Sequence, residues 1–191
     1  AATLTDTLPA ALSGVTAGSA SRHLGPGAAQ SGTGTGVDVA GNSASATLDH
    51  LDVDKPAPVM SGAPTTAPNA GGWYDNSVVI HWTCSDALSG LDGPCPSDTT
   101  VSGEGTNLGA TASVSDKAGN TRTAAVSGLK IDSTPPVTTA SVSAPLATGW
   151  YADKARVTLT GTDNLSGVAK TWYAVDGGSA TAYDGAFDYA T

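Results

Sequence analysis

The sequence predicts an all-β chain built from small sandwich domains repeated in tandem and arranged end to end. Three observations carry this. First, the chain writes one pattern twice. "VDVAGNSASATLDHLDVDKPAPVM" (Val37 to Met60) and "VSDKAGNTRTAAVSGLKIDSTPPVTT" (Val114 to Thr139) share an Asp, then Ala-Gly-Asn, alternating small and apolar residues, an Asp and prolines. Asn42 and Asn120, like Asp54 and Asp132, lie 78 residues apart. Second, "GGWYDNSVVIHWTCSDALSGL" (Gly71 to Leu91) matches "TGWYADKARVTLTGTDNLSGV" (Thr148 to Val168), with Trp73 and Trp150 77 residues apart. A period this long suits a whole domain repeated, not a solenoid coil. Third, apolar residues alternate over short segments, and no window sustains a 3.6-residue stripe.

The period places the boundaries. Residues 55–133 form one complete repeat. Residues 1–54 lack the Gly-Trp-Tyr opening and form a partial or divergent repeat. Residues 134–191 stop before the Ala-Gly-Asn closing and form a repeat truncated at its C-terminal end. The expectation is a fragment of a longer protein. Around residues 16–33, "AGSASRHLGPGAAQ" aligns with nothing else in the chain, although Ser13-Gly14-Val15 matches the later Ser-Gly-Val/Leu loops.

Each strand has a local reason. In "SVVIHWTC", Val78, Ile80, Trp82 and Cys84 alternate with Val79, His81 and Thr83, the period of a half-buried strand. In "NLGATASVSD", Leu108, Ala110, Ala112 and Val114 share one face. Ala-Gly-Asn then supplies a turn, because Gly and Asn tolerate positive φ. "RTAAVSGLKID" returns as a strand bulged near Gly128. "GVAKTWYAVDGG" enters an Asp-Gly-Gly hairpin turn. Turn signals every eight to twelve residues or so are those of a β-sandwich. The Trp73-Tyr74 and Trp150-Tyr151 pairs are expected to cap thin cores and not to form a ligand platform.

Composition removes several functions. Eight Lys and Arg in 191 residues, and a net charge of -9, leave no positive stripe to neutralise nucleic-acid phosphates. No window nears 18 consecutive apolar residues, so no membrane insertion is expected in this segment. No Gly-x-Ser-x-Gly elbow is present. His23, His50 and His81 lie apart, without ligand or triad spacing. "GPGAAQ" (Gly25 to Gln30) begins like a dinucleotide loop but lacks the strand-loop-helix context. Glu104 is the only Glu, so carboxylate pairs suited to acid-base catalysis are missing. Asn164-Leu165-Ser166 has the form of a glycosylation triplet but is better explained as a loop turn. The segment is expected to be non-catalytic.

Gly-Trp-Tyr, an Asp-x-x-Ser-Gly-Val/Leu loop, Asp-x-Ala-Gly-Asn and Ile-Asp-x-Thr-x-Pro together resemble the bacterial Ig-like repeats of large secreted and cell-surface proteins. "YAVDGGSATAYDGAF" (Tyr173 to Phe187) is similar to a hairpin of the same repeats. The resemblance covers residues 55–191, and residues 1–54 only from about Gly34. It implies an Ig-like sandwich, an extracellular or cell-surface location, and neighbouring repeats of the same chain as partners. It leaves activity open, since such repeats serve as stalks, spacers or accessory modules.

Cys84 and Cys95, the only cysteines, flank one loop, and an even count in this setting reads as a disulfide. The bond would imply an oxidising compartment. The leading function is a structural stalk or spacer that presents another region of a bacterial surface protein. Proline-containing linkers limit bending between its domains. The alternative is an accessory glycan- or protein-binding module of a secreted carbohydrate-active enzyme or adhesin.

Calcium is the one candidate cofactor. In an Ig-type sandwich the relevant loops share a pole, which would gather Asp54, Asp86 and Asp116 for the middle repeat and Asp132 and Asp163 for the next. Asp38 belongs to the same set. Similar repeats in giant adhesins hold calcium with linker-proximal Asp residues. Against this stands ordinary turn formation, which favours Asp at each of these positions. The two readings part on whether the three carboxylates of the middle repeat converge to about 5 Å, the spacing of ligands around one such ion.

Overall fold

A computed structural model describes residues 24–189. Ser13-Gly14-Val15 and His23 therefore lie outside the described residues, as do residues 17–23 of the unaligned stretch. The described chain is all-β, without helix. Its strands are β1 (Gly27–Val37), β2 (Ser43–Val53), β3 (Val59–Pro64), β4 (Trp73–Tyr74), β5 (Val78–Ser85), β6 (Thr99–Val101), β7 (Gly105–Ser115), β8 (Thr121–Ile131), β9 (Val137–Val142), β10 (Ala155–Thr162), β11 (Trp172–Tyr173), β12 (Thr181–Ala182) and β13 (Phe187–Tyr189). They form several small sheets, consistent with a β-sandwich: β1-β2, β3-β5-β6, β4-β8-β7, β13-β10-β9 and β11-β12.

Two compact units divide these elements. One holds the described part of Ala1–Ala63 with Ile80–Thr99 and Thr111–Val126; the other holds Pro64–Val79, Thr100–Ala110 and Ser127 onward.

Two pairs of strands share length and offset. β1 and β7 are both 11 residues long, as are β2 and β8, and each pair is 78 residues apart. The Thr35 and Ser45 hydroxyls bond across β1-β2 at 2.8 Å. Their counterparts, Ser113 and Thr123, bond across β7-β8 at 2.7 Å. Cross-strand hydroxyl pairs of this kind help hold hairpin register.

Alternation delivers the core. Val78, Ile80 and Trp82 on β5 are at most 2% exposed, while His81 and Thr83 face solvent. Leu108, Ala110, Ala112 and Val114 point inward along β7, as their period requires. Met60, Val101, Leu129 and Ile131 complete the buried apolar set. The Trp82 indole N–H donates to Thr99 Oγ1 at 3.0 Å, so this buried ring keeps its hydrogen bond.

The irregularity near Gly128 is real. Gly128 has φ +77°, and the inward phase of β8 slips there, from Ala124 and Val126 to Leu129 and Ile131. Its counterpart His50 sits at φ +57°, beside a register shift between β1 and β2. A Cβ on Gly128 would meet nothing within 4 Å, so backbone strain alone decides the cost of a side chain there. Gly128→Ala should destabilise the protein by about 1–2 kcal/mol, the usual penalty of the left-handed region. Denaturant unfolding checks this, and an unchanged midpoint would mean the backbone relaxes freely.

Candidate metal centre

Three short loops build the site, each for a local reason. In "SDALSG", Asp86 Oδ1 accepts from the Leu88 N–H at 3.1 Å and the Gly90 N–H at 2.8 Å. This Asx geometry, with Gly90 at φ +77°, turns the chain sharply. In "SDKAGN", Asp116 Oδ1 accepts from the Asn120 N–H and Oδ2 from the Asn120 side-chain amide, both at 2.8 Å. Asp38 and Asn42 make the same two bonds at the same distances one period earlier.

The third contributor is of a different kind. Asp54 Oδ2 accepts from the Ser89 N–H at 3.0 Å, across 35 residues of chain. The Asn120 side-chain amide reaches back to the Asp54 carbonyl at 3.2 Å. Asp54 therefore ties the linker to both loops, where Asp86 and Asp116 shape their own turns. All three lie in the first unit. One carboxylate oxygen from each falls within 4.8 Å of the others.

The site's electrostatics favour charge. Asp116 is 1% exposed. Burial is the largest single influence and raises its pKa. The Asn120 side chain and the N–H groups of Asn120, Ala118 and Gly119 together outweigh burial and hold the carboxyl below its ordinary value. Asp54 Oδ1 is buried and has no hydrogen-bond partner among the described residues. A buried carboxylate oxygen without a partner is costly, and a cation is the simplest group to satisfy it beside two further carboxylates. The donors are all hard oxygens, which suits calcium over softer metals. A cavity of about 360 Å³ adjoins the cluster and is lined in part by Asp52, Val53, Leu88, Ser89 and Lys117. The residues present thus fit a calcium ion.

Asp132 and Asp163 repeat the clamp but not the triad. Asp163 Oδ1 accepts from the Leu165 and Gly167 N–H groups at 3.0 and 2.7 Å. Asp132 Oδ2 accepts from the Ser166 N–H at 2.8 Å, across 34 residues. Ser166 is the chief cause of the lowered Asp132 pKa, with the Thr134 N–H and the neighbouring Asp163 also contributing. Asp132 and Asp163 are thus a pair, and among the described residues no third carboxylate joins them.

Glu104 is a second acceptor near Asp132, and sequence reasoning missed it. Its Oε1 accepts from the Ser133 N–H at 3.0 Å, and from the Ser133 and Thr134 hydroxyls at 2.7 Å each. Those hydroxyls lower its pKa. The signal available was its uniqueness in the chain, but the partners lie about thirty residues away, beyond any local pattern. Glu104 and Asp132 both have depressed pKa values in the fold. Their contribution to stability is present above the unfolded carboxyl range, around pH 4. It is lost as pH falls through the lower folded values. The stability difference between wild type and Glu104→Gln should therefore shrink as thermal unfolding is followed from pH 7 to pH 3. A constant difference would assign the effect to packing.

The Cys84–Cys95 disulfide closes the loop that carries Asp86, with the Cα atoms 5.7 Å apart. It fits an oxidising compartment. No described helix is long and apolar enough to cross a membrane. No protein-family model matches the chain, and no curated protein matches it.

Proposed function

We propose that this segment is a non-catalytic spacer of an extracellular or cell-surface bacterial protein, built from tandem Ig-like domains whose joints are fixed by linker aspartates. Residues 55–133 are its complete domain, flanked by residues 1–54 and 134–191 as parts of two more. Calcium held by Asp54, Asp86 and Asp116 stiffens the first joint, and the spacer presents whatever functional region adjoins it. The observation that carries this reading is Asp54. It bonds to a loop 35 positions away and, among the described residues, keeps one buried oxygen unpaired beside two other carboxylates.

Calcium binding to the folded chain alone raises stability by mass action, by about 2.7 kcal/mol at a hundredfold excess over Kd. Calorimetric titration should show binding, and thermal unfolding should shift upward in calcium relative to chelator. Asp54→Asn should remove most of that shift. Equal melting temperatures in calcium and chelator would overturn the calcium reading and leave the aspartates as hydrogen-bonding clamps.

A further inference from the structure

The loop that supplies Asp86 also holds the other two carboxylates of the cluster. It runs from Cys84 near the end of β5 to Cys95, and the disulfide closes its base. Within it, the Ser89 N–H donates to Asp54 Oδ2 at 3.0 Å. Leu91 forms an isolated antiparallel bridge with Asp116. Two backbone bonds flank that bridge, from the Asp92 N–H to the Ser115 carbonyl at 2.9 Å and from the Lys117 N–H to the Gly90 carbonyl at 3.0 Å. One bonded loop is thus tied to Asp54 through Ser89 and to Asp116 through Leu91.

The later repeat closes the corresponding loop by another device. Its Asp163 turn accepts from the Leu165 and Gly167 N–H groups without any disulfide. There Gly161 stands in the place of Cys84, and Val168 in that of Leu91. Val168 packs directly over the bare glycine: a Cβ there would lie 3.1 Å from Val168 Cγ1. Cys84 carries a Cβ and a sulfur in that place, which excludes the same packing. The middle repeat therefore relies on the bond where the later one relies on the valine, and breaking the bond leaves its loop with neither.

We propose that the Cys84–Cys95 bond sets the calcium affinity of the Asp54, Asp86 and Asp116 cluster, so that reducing the bond releases calcium and bound calcium protects the bond. This rests on the calcium reading given above. The reductant is a dithiol. Its two thiol protons pass to Cys84 and Cys95 as their S–S bond breaks, and its own two sulfurs join, so two electrons move to the protein. Reduction frees the base of the loop. Asp86 and the Ser89 N–H that fixes Asp54 must then be ordered at each binding event, a cost that preorganisation otherwise removes. The influence is reciprocal, because calcium must oppose reduction by the same factor by which reduction weakens calcium binding.

The test uses the whole 191-residue chain. Calcium is titrated by calorimetry into the oxidised chain, into the chain reduced with dithiothreitol, and into Cys84→Ala/Cys95→Ala. The Kd should rise by at least about fivefold on reduction, the lower end of usual coupling between sites, and the double variant should match the reduced chain. In mixtures of reduced and oxidised dithiothreitol, saturating calcium should raise the ratio needed for half-reduction by the same factor relative to chelator. In Asp54→Asn, calcium should leave that ratio unchanged. Equal Kd values for the oxidised and reduced chains would overturn the redox link and leave the calcium site standing. No calcium binding to the oxidised chain would overturn both. A reduced chain that has lost its cooperative melt, followed by circular dichroism, would also overturn the link, because the bond would then serve the whole fold and not the site.

Discussion

A Trp82→Ala chain is expected to lose about 3–5 kcal/mol of stability, the range for deleting a large buried aromatic. A small domain has only about 5–15 kcal/mol in total. Trp82 is among the largest fully buried side chains, and its N–H is satisfied by Thr99. Its removal leaves a cavity and an orphaned hydroxyl partner together. The ring also dictates its neighbour. A Cβ built on Gly62 would overlap the Trp82 six-membered ring, so only glycine fits there. One period on, the pair is Ala140 and Leu159, directly opposed across β9 and β10. Gly62→Ala should therefore cost about 1–3 kcal/mol beside Trp82, the usual penalty of overpacking. It should cost much less in a Trp82→Leu background. Denaturant unfolding of the four chains gives the coupling directly. Additive costs would mean the ring and Gly62 do not constrain each other.

Removing the disulfide is the next largest expected change. Cys84 and Cys95 are 11 residues apart and bonded. Closing a loop of this size restricts the unfolded chain by an amount worth about 3 kcal/mol in the entropic model. The corresponding loop of the later repeat has no such bond. At Gly161, in the place of Cys84, a Cβ would already approach Val168 Cγ1 at 3.1 Å and Thr171 Oγ1 at 3.2 Å. That loop closes by packing, so the fold tolerates either device. Cys84→Ala/Cys95→Ala should then fold, with a guanidinium midpoint well below that of wild type. Wild type measured in reductant should move to meet it. Matching midpoints for oxidised and reduced wild type would show that the bond contributes nothing to the native state. The Asp86 turn lies within the bonded loop, so the same variant also reports how far the bond holds the carboxylate cluster in place.

Local patterns in the sequence were enough for the strands and turns of residues 78–131, while β1 begins inside the unaligned stretch and only Trp172–Tyr173 of "GVAKTWYAVDGG" is strand. Alternation at Val78, Ile80 and Trp82 encodes which side of β5 is buried, because successive residues of a strand face opposite ways whatever surrounds them. Asp86 and Asp116 were legible as turn formers, since their partners are two to four residues away. The cysteine pair was legible because one loop separates its members. The shared pole of an Ig-type sandwich already gathered Asp54, Asp86 and Asp116, and one oxygen from each does lie within 4.8 Å of the others. What the sequence could not express was their long-range bonding and burial. The bonds that Asp54 makes with Ser89 and Asn120 have no local sign, and its oxygen without a partner among the described residues is there only because the tertiary fold buries it. Glu104 gave no local sign, since its three hydrogen-bond partners come from a linker about thirty residues onward. Gly62 looks like a flexible glycine in sequence; only the ring of Trp82 against it shows that the reason is space. Side-chain period and turn chemistry act over a few residues and survive in one dimension. Long-range bonds, burial and steric exclusion depend on which distant segments the folded sheets set side by side.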